Sequence, residues 1–362
     1  MSFWNRLKRQ LLVLALACLA WSYWMPSTQA LPQGNAITDP KALLRYALPI
    51  ENPEVRKLQA AIEDISQQLR ANRRWGAVVA DLNRAERVVA DKQAALLDSI
   101  PDDRKPQAEA LLGDIQAEIG QMQAGLEAKN RQTTLDQRAV LLDKIGSLEE
   151  LMVQGYPFAV PEEYSNLPQL RGRATVEIKT TQGDVTAVLD GYSAPVTAGN
   201  FVDLVQRGFY NNLSFTRSED FYILQVGDPE GPEVGFVDPK TKKYRAIPLE
   251  VLAKGDKEPT YGITLEDAGR PLDQPVLPFS AYGAMALARS DEDPNGGSSQ
   301  FFFFLFEPEL TPAGINLLDG RYAIFGYVVE GNDILRTLKA GTDKIISAKV
   351  ISGAENLVQP KA

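Results

Sequence analysis

The spacing of apolar residues changes along this chain, and the change divides it into two kinds of structure. Up to residue 152, apolar residues recur every three or four positions, which is the spacing of one buried helix face. From residue 173 onward, short segments alternate apolar and polar residues, as strands with one buried face do. Three prolines interrupt helix formation between the two halves. We therefore expect a multidomain α plus β fold, with a helical domain over 31–156, a proline-rich linker over 157–172 and a β domain over 173–356.

The helical domain is predicted to be an antiparallel bundle. Asp39-Pro40 and Asn52-Pro53 each place a capping side chain before a proline at the first helical position. Further apolar stripes begin at Leu58, Val78, Leu111 and Leu135. The same spacing fits a sustained coiled coil, but prolines and short breaks interrupt the heptads, which favours the bundle. The sequence of this half carries no phosphate loop or metal-ligand cluster, so a scaffold or docking role is the simplest hypothesis.

The β domain is predicted to be a closed antiparallel barrel capped by two helices. Val176 and Val185 flank a turn at Gln182-Gly183, which indicates a hairpin. Further strands are expected over 214–217, 222–226, 284–288, 301–305, 323–329 and 344–350, and helices over 195–206 and 333–338. The segment 229–280 is rich in proline and glycine. It is interpreted as a surface insertion, with a substrate-binding loop as the alternative.

Residues 1–30 are predicted to be a signal peptide that is cleaved after Ala30. Arg6, Lys8 and Arg9 precede an apolar run over 11–20, which is too short to span a bilayer comfortably, and small residues follow. A lipid anchor at Cys18 is the alternative. The expected mature protein is exported, contacts the membrane only through the cleaved signal and contains no cysteine. Its oligomeric state is left open.

Composition excludes several classes of site. The chain has no histidine, and Cys18 is its only cysteine, which removes Ser-His-Asp and Cys-His catalysis and zinc sites built on those residues. Carboxylates alone could still bind magnesium or calcium, but no EF-hand loop is present, and neither a metal nor another cofactor is expected. The formal net charge is −9, and an acidic protein repels phosphate backbones, so nucleic acid is not an expected partner.

Three stretches in the β domain carry the chemistry. Residues 215–228 hold a cation and an amide, Arg217 and Gln225, beside apolar Tyr222 and Ile223. Their order resembles the cyclophilin signature F-H-R-x-x-P-x-F-M-x-Q-G-G-D, with Phe215, Arg217, Gln225, Gly227 and Asp228 in register. The stretches 297–303 (GSSQFFF) and 317–326 (LLDGRYAIFG) resemble further cyclophilin motifs. The resemblance covers about residues 173–355 and implies the cyclophilin barrel.

The resemblance implies a peptidyl-prolyl cis-trans isomerase that binds proline-containing segments. The catalytic residues would be Arg217, which donates to the imide nitrogen in the twisted state, and Gln225, which holds the arginine and the substrate backbone. The substrate would be bound by Tyr222, Ile223, Ala286, Leu287, Ala288, Gln300, Phe302, Leu317, Leu318 and Tyr322. Phe302 is preferred to Phe303 because only one face of their strand can reach the pocket.

Several positions depart from the family pattern. Leu317 and Tyr322 replace the family's tryptophan and histidine, and Glu219 and Asp220 can pair with Arg217, so weak activity is expected. Helices ahead of such a domain resemble the thylakoid-lumen multidomain cyclophilins of cyanobacteria and plants. That likeness implies a lumenal role in photosystem II assembly with its subunits as partners, and the exported protein is expected in the thylakoid lumen or the periplasm. The alternative is a non-catalytic assembly chaperone or scaffold, whose helical domain docks to clients or gates the site.

Overall fold

The computed structural model describes residues 37–70, 73–306 and 316–360. The predicted signal peptide and Cys18 lie outside these residues. None of the described helices is long and apolar enough to cross a membrane.

The first half of the described chain is helical. Its helices are α1 (Pro40–Ala47), α2 (Pro53–Gln68), α3 (Trp75–Asp91), α4 (Gln93–Asp98), α5 (Lys105–Gly125) and α6 (Arg131–Leu151). The Asp39 carboxylate accepts from the Lys41 N–H, and the Asn52 side chain accepts from the N–H groups of Glu54 and Val55, so both predicted caps are present. The chain breaks at Lys92 and divides one predicted helix into α3 and α4.

The bundle, and not the coiled coil, is the observed arrangement. Helices α2, α3, α5 and α6 form a ring in which each packs on two others. The short connections between them make neighbours antiparallel. Leu58, Ile62, Leu82, Ile115 and Ile145 meet in its apolar core.

The described residues of the second half form twelve short strands and two α-helices. The strands are β1 (Gln169–Leu170), β2 (Arg173–Thr180), β3 (Gly183–Asp190), β4 (Arg217–Glu219), β5 (Ile223–Val226), β6 (Glu250–Val251), β7 (Thr260–Tyr261), β8 (Ala284–Leu287), β9 (Phe301–Phe304), β10 (Ile324–Glu330), β11 (Ile345–Ser352) and β12 (Leu357–Val358). Eight of them form one antiparallel sheet in the order β11-β2-β3-β10-β8-β9-β5-β4. Two-stranded pairs, β1 with β12 and β6 with β7, lie outside that sheet.

The large sheet curls into the predicted antiparallel barrel, but its two edge strands do not form a continuous ladder. A single bridge, Ser214 to Lys344, joins the ends, supported by hydrogen bonds from Ile345 N to Leu213 O and from Phe215 N to Asp343 O. Beyond Phe215 the chain turns into the β4–β5 hairpin, so pairing stops there. Within the described part of the chain, closure therefore rests on this one β-bridge and a few hydrogen bonds beside it.

Helices fill and cap the curled sheet. Helix α7 (Pro195–Gln206) is buried along its length up to Val205, and Phe201 packs in the interior core with Phe301 and Phe325. The second predicted capping helix is shorter than expected, because α8 (Asn332–Leu335) makes only one turn.

Helix α1 lies between the bundle and the outer face of the sheet. Leu43, Leu44 and Ala47 pack in one cluster with Leu277 and Phe279. Polar side chains of α1 face the bundle instead, where Lys41 and Arg45 pair with Asp143 and Glu63, both at 3.0 Å. The helical half is thus attached to the sheet by an apolar contact, and Arg173 of β2 adds polar contacts with Leu44 O and with Glu150.

Candidate active site

The pairing of strands β4, β5, β9 and β8 aligns several of the predicted site residues side by side. In the β4–β5 hairpin Arg217 is paired with Gln225, Gln225 is paired with Phe302 of β9, and Phe302 is paired with Ala286 of β8. Residues paired directly across antiparallel strands project from the same face of a sheet. A cation, an amide and an aromatic ring therefore lie side by side on the outer face.

A cavity of about 540 Å³ opens over this row. Nine predicted site residues line it: Arg217, Tyr222, Ile223, Gln225, Ala288, Gln300, Phe302, Leu318 and Tyr322. The other three are not among its described lining residues. Ala286 is buried in the outer-face cluster and Leu287 is buried against Ile247 and Val196, whereas the Leu317 side chain is 88 % exposed.

Several lining residues were not identified from the sequence. Val234 and Tyr244 come from the segment interpreted as a surface insertion, so part of that segment borders the cavity. Arg289, Ser290, Asp291, Gly296 and Ser298 come from the loop between β8 and β9. The length of the 229–280 segment was the available signal, but length alone does not show where a loop folds.

The apolar wall is built from stacked aromatic rings. Phe302 meets Tyr322 edge to face at 5.4 Å, and Phe279 stacks beneath Phe302 at 6.0 Å between ring centroids. The Tyr322 hydroxyl donates to Asp291 Oδ1 at 2.9 Å, and Arg289 lies over the same ring. Burial, reinforced by Asp291, raises the pKa of Tyr322, so the phenol stays protonated.

The loop that carries Leu318 and Tyr322 is held by Asp319. Its carboxylate accepts from the N–H groups of Phe279 at 2.7 Å and Asn316 at 2.9 Å. Burial raises the pKa of Asp319 to about 6. The 229–280 segment adds support, because the Leu265 N–H donates to Gly320 O. The apolar wall is thereby fixed before any ligand enters.

Hydrogen bonds divide the polar residues into two groups. Gln225 donates to Gln300 Oε1 at 2.7 Å, and Gln300 donates to Asp228 and to Val234 O. Arg217 instead donates from Nε to Glu219 Oε1 at 2.8 Å, and its Nη2 contacts the same oxygen. The cyclophilin resemblance implies that Gln225 holds the arginine. In the structure Glu219 takes that place.

The arrangement suits rotation about an imide bond. That bond resists rotation by ~18–20 kcal/mol when the nitrogen lone pair is shared with the carbonyl. An apolar wall can hold a proline ring, and a neighbouring guanidinium can donate to the nitrogen only once the bond is twisted. This chemistry needs no nucleophile and no metal.

Models of known protein families match two regions of the chain. Residues 175–355 match the family model of cyclophilin-type peptidyl-prolyl cis-trans isomerases. Residues 39–153 match the model described as the PsbQ-like domain of CYP38-like peptidyl-prolyl cis-trans isomerases.

Two relatives extend over almost the whole chain. One, named a thylakoid lumen peptidyl-prolyl cis-trans isomerase of Synechocystis, is 57 % identical over 96 % of this chain and 93 % of its own length. Arabidopsis thaliana CYP38, named chloroplastic, is 43 % identical over 93 % of this chain and 79 % of its own. Among solved structures, a Cryptosporidium parvum cyclophilin crystallised with the dipeptide Ala-Pro shares 24 % identity, covering 49 % of this chain and 99 % of that one, with a TM-score of 0.37.

Proposed function

Because the chain belongs to the cyclophilin-type peptidyl-prolyl cis-trans isomerases and carries a CYP38-like helical domain, we propose that Arg217 is its catalytic donor in the folding and assembly of lumenal proteins. The proline ring rests on Phe302, Leu318 and Tyr322. Arg217 donates to the imide nitrogen as it pyramidalises, and Gln225 with Gln300 contacts the substrate backbone. The proposal depends on one observation: Arg217, Gln225 and Phe302 are paired across neighbouring strands and line the same cavity.

Substitution of Arg217 tests this role. In a protease-coupled proline-peptide assay, Arg217→Ala should lower kcat/KM by about 10²-fold or more, the loss expected when one preorganised donor is removed. The fold should be retained, because the Arg217 side chain is 55 % exposed. Arg84→Ala, which removes an exposed arginine of the bundle, is the matched control. Equal rates for Arg217→Ala and the parent would refute the assignment.

Weak catalysis is part of the proposal, and a non-catalytic assembly chaperone is the second candidate. The pairing of Arg217 with Glu219 favours weak catalysis and also favours a non-catalytic chaperone, because the substrate must compete with Glu219 for the guanidinium. Fluorescence titration with the same proline peptide separates them. A chaperone would bind the peptide without accelerating isomerisation, and Arg217→Ala would bind it equally well.

We also assign the protein to the thylakoid lumen, where it would assist photosystem II assembly. The names of the relatives and the order of basic, apolar and small residues in 1–30 support this compartment. Protein purified from its native cells should begin at Leu31 by intact mass and should co-purify photosystem II subunits from thylakoid membranes. An uncleaved chain, or a lipid on Cys18, would contradict the proposed signal.

A further inference from the structure

The carboxylate of Glu219 lies on the guanidinium of Arg217. Both residues are on β4, two positions apart, and therefore project from the same face of the strand. Nε donates to Glu219 Oε1 at 2.8 Å and Nη2 contacts the same atom, while the two side chains remain 55 % and 44 % exposed. Among the described residues, Glu219 is the partner of Arg217 in its ion pair and in its side-chain hydrogen bonds.

This contact occupies one edge of the guanidinium fork. The Nε and Nη2 donors on this edge belong to the planar fork with which arginine recognises oxygen acceptors. A substrate that needs this edge must first displace Glu219. Because exposed ion pairs are weak, the contact reduces access to Arg217 without blocking it.

Charged groups in the cavity wall, and Asp228 behind it, are engaged by residues of that wall. Asp291 accepts from Tyr322, and Asp228 accepts from Gln300. Arg289 donates to the carbonyl oxygen of Arg321 and lies over the Tyr322 ring. Glu219 is not among the described lining residues of the cavity, but it differs from these groups because its partner is the proposed catalytic donor, Arg217, which does line it.

We propose that Glu219 is a specificity residue that favours proline segments carrying a lysine or arginine beside the proline. A cationic side chain of the substrate pairs with the Glu219 carboxylate and frees Arg217 for the imide. A neutral segment offers no such partner and competes with Glu219 for the guanidinium. The proposal deepens the proposed function and rests on Arg217 being the donor.

The test compares peptides that differ only beside the proline, with lysine, glutamine or glutamate. The full mature chain should isomerise the lysine peptide about two- to fivefold faster in kcat/KM than the glutamine peptide, the factor that one exposed ion pair corresponds to. Glu219→Gln should raise the rate on the glutamine peptide by the same factor and remove the preference. Added salt should accelerate the parent on the glutamine peptide but not the variant, because salt screens exposed pairs.

Asp220→Asn is the matched control. Asp220 is the exposed neighbour of Glu219, and its substitution changes the net charge equally. It should leave the lysine preference and the salt response unchanged.

Two results would overturn the proposal: no gain for Glu219→Gln on the glutamine peptide, or a lysine preference that survives the substitution. If the parent shows no turnover, the comparison is made with Kd: the parent must bind the lysine peptide more tightly than the glutamine peptide, and Glu219→Gln must remove that difference. Loss of activity in Arg217→Ala alongside an inert Glu219→Gln refutes only the specificity role. Full activity of Arg217→Ala refutes the proposed function itself.

Discussion

The two faces of strand β9 differ in what covers them. Phe301 and Phe303 point into the curled sheet, where Phe301 contacts Phe201 of α7 and Tyr210 at 5.0 and 5.5 Å. Phe302 and Phe304 point outward and pack around Phe279. All four side chains are buried, yet only Phe302 lines the cavity.

The difference shows how this fold makes a binding site. The inner face is covered completely by the sheet and α7, so its phenylalanines contribute stability alone. The outer face is covered only in part, by α1 and the segment around Phe279, and the uncovered part is the cavity. Polar Arg217 and Gln225 lie in that uncovered part, beside an aromatic ring.

Alanine substitutions on the two faces of β9 should have the largest effects. The inner-face substitution should mainly lower folding stability, and the outer-face substitution should mainly weaken peptide binding. Phe303→Ala leaves a hole in the inner core and should lower the free energy of unfolding by about 3–5 kcal/mol. Phe302→Ala borders open space, so it should destabilise less while abolishing binding of a proline peptide. Denaturant titration and peptide titration measure the two effects. Equal destabilisation by both variants would contradict the comparison.

The contact of α1 with the outer face should contribute stability without controlling access. Leu44→Ala removes a buried side chain from that contact and should cost about 2–5 kcal/mol in the free energy of unfolding. Peptide binding and isomerisation should be unchanged, because no described residue of the helical half lines the cavity. Leu82→Ala, buried in the bundle core, is the control. Faster isomerisation by Leu44→Ala alone would support gating through Phe279 and Phe302 instead.

Acidification should stabilise the protein through buried carboxylates, with the smallest effect of the three. Glu250 of β6 accepts from the N–H groups of Val196 and Thr197 at the start of α7, and burial raises its pKa from 4.5 to about 7. Between those values the folded state binds more protons than the unfolded state, so stability rises as pH falls from about 7 to about 4.5.

Burial likewise raises the pKa of Glu149, in α6, to about 8. The rise in stability on acidification should therefore begin at about pH 8. Urea midpoints recorded across this range should rise toward acid. Glu250→Gln should weaken the dependence of the urea midpoint on pH below pH 7. Glu149→Gln should weaken that dependence between about pH 7 and 8. A parent protein that loses stability over this interval on acidification would contradict the assignment.

The sequence alone determined the features of the fold and the site that depend on the spacing of residues close together in the chain. Asp39 and Asn52 cap helices because the atoms they bind lie within three residues. Alternation along β9 selected Phe302 over Phe303 for the cavity, and the order of residues 217–225 set Arg217 opposite Gln225. These features follow from backbone geometry over a few residues, so the pattern of side chains was enough.

Tertiary structure decided everything that joins distant segments. It brought Val234 and Tyr244 to the cavity, stacked Phe279 beneath Phe302 and docked α1 on the sheet. It also turned Leu317 into solvent and buried Leu287 away from the cavity. The partner of Arg217 belongs here too, because Glu219 and Gln225 are both within reach and only the packing around Gln300 commits Gln225 elsewhere. The spacing of residues in the sequence determines which polar groups can come into contact. When several lie within reach of one donor, the packing of the surrounding side chains decides which of them accepts its hydrogen bond.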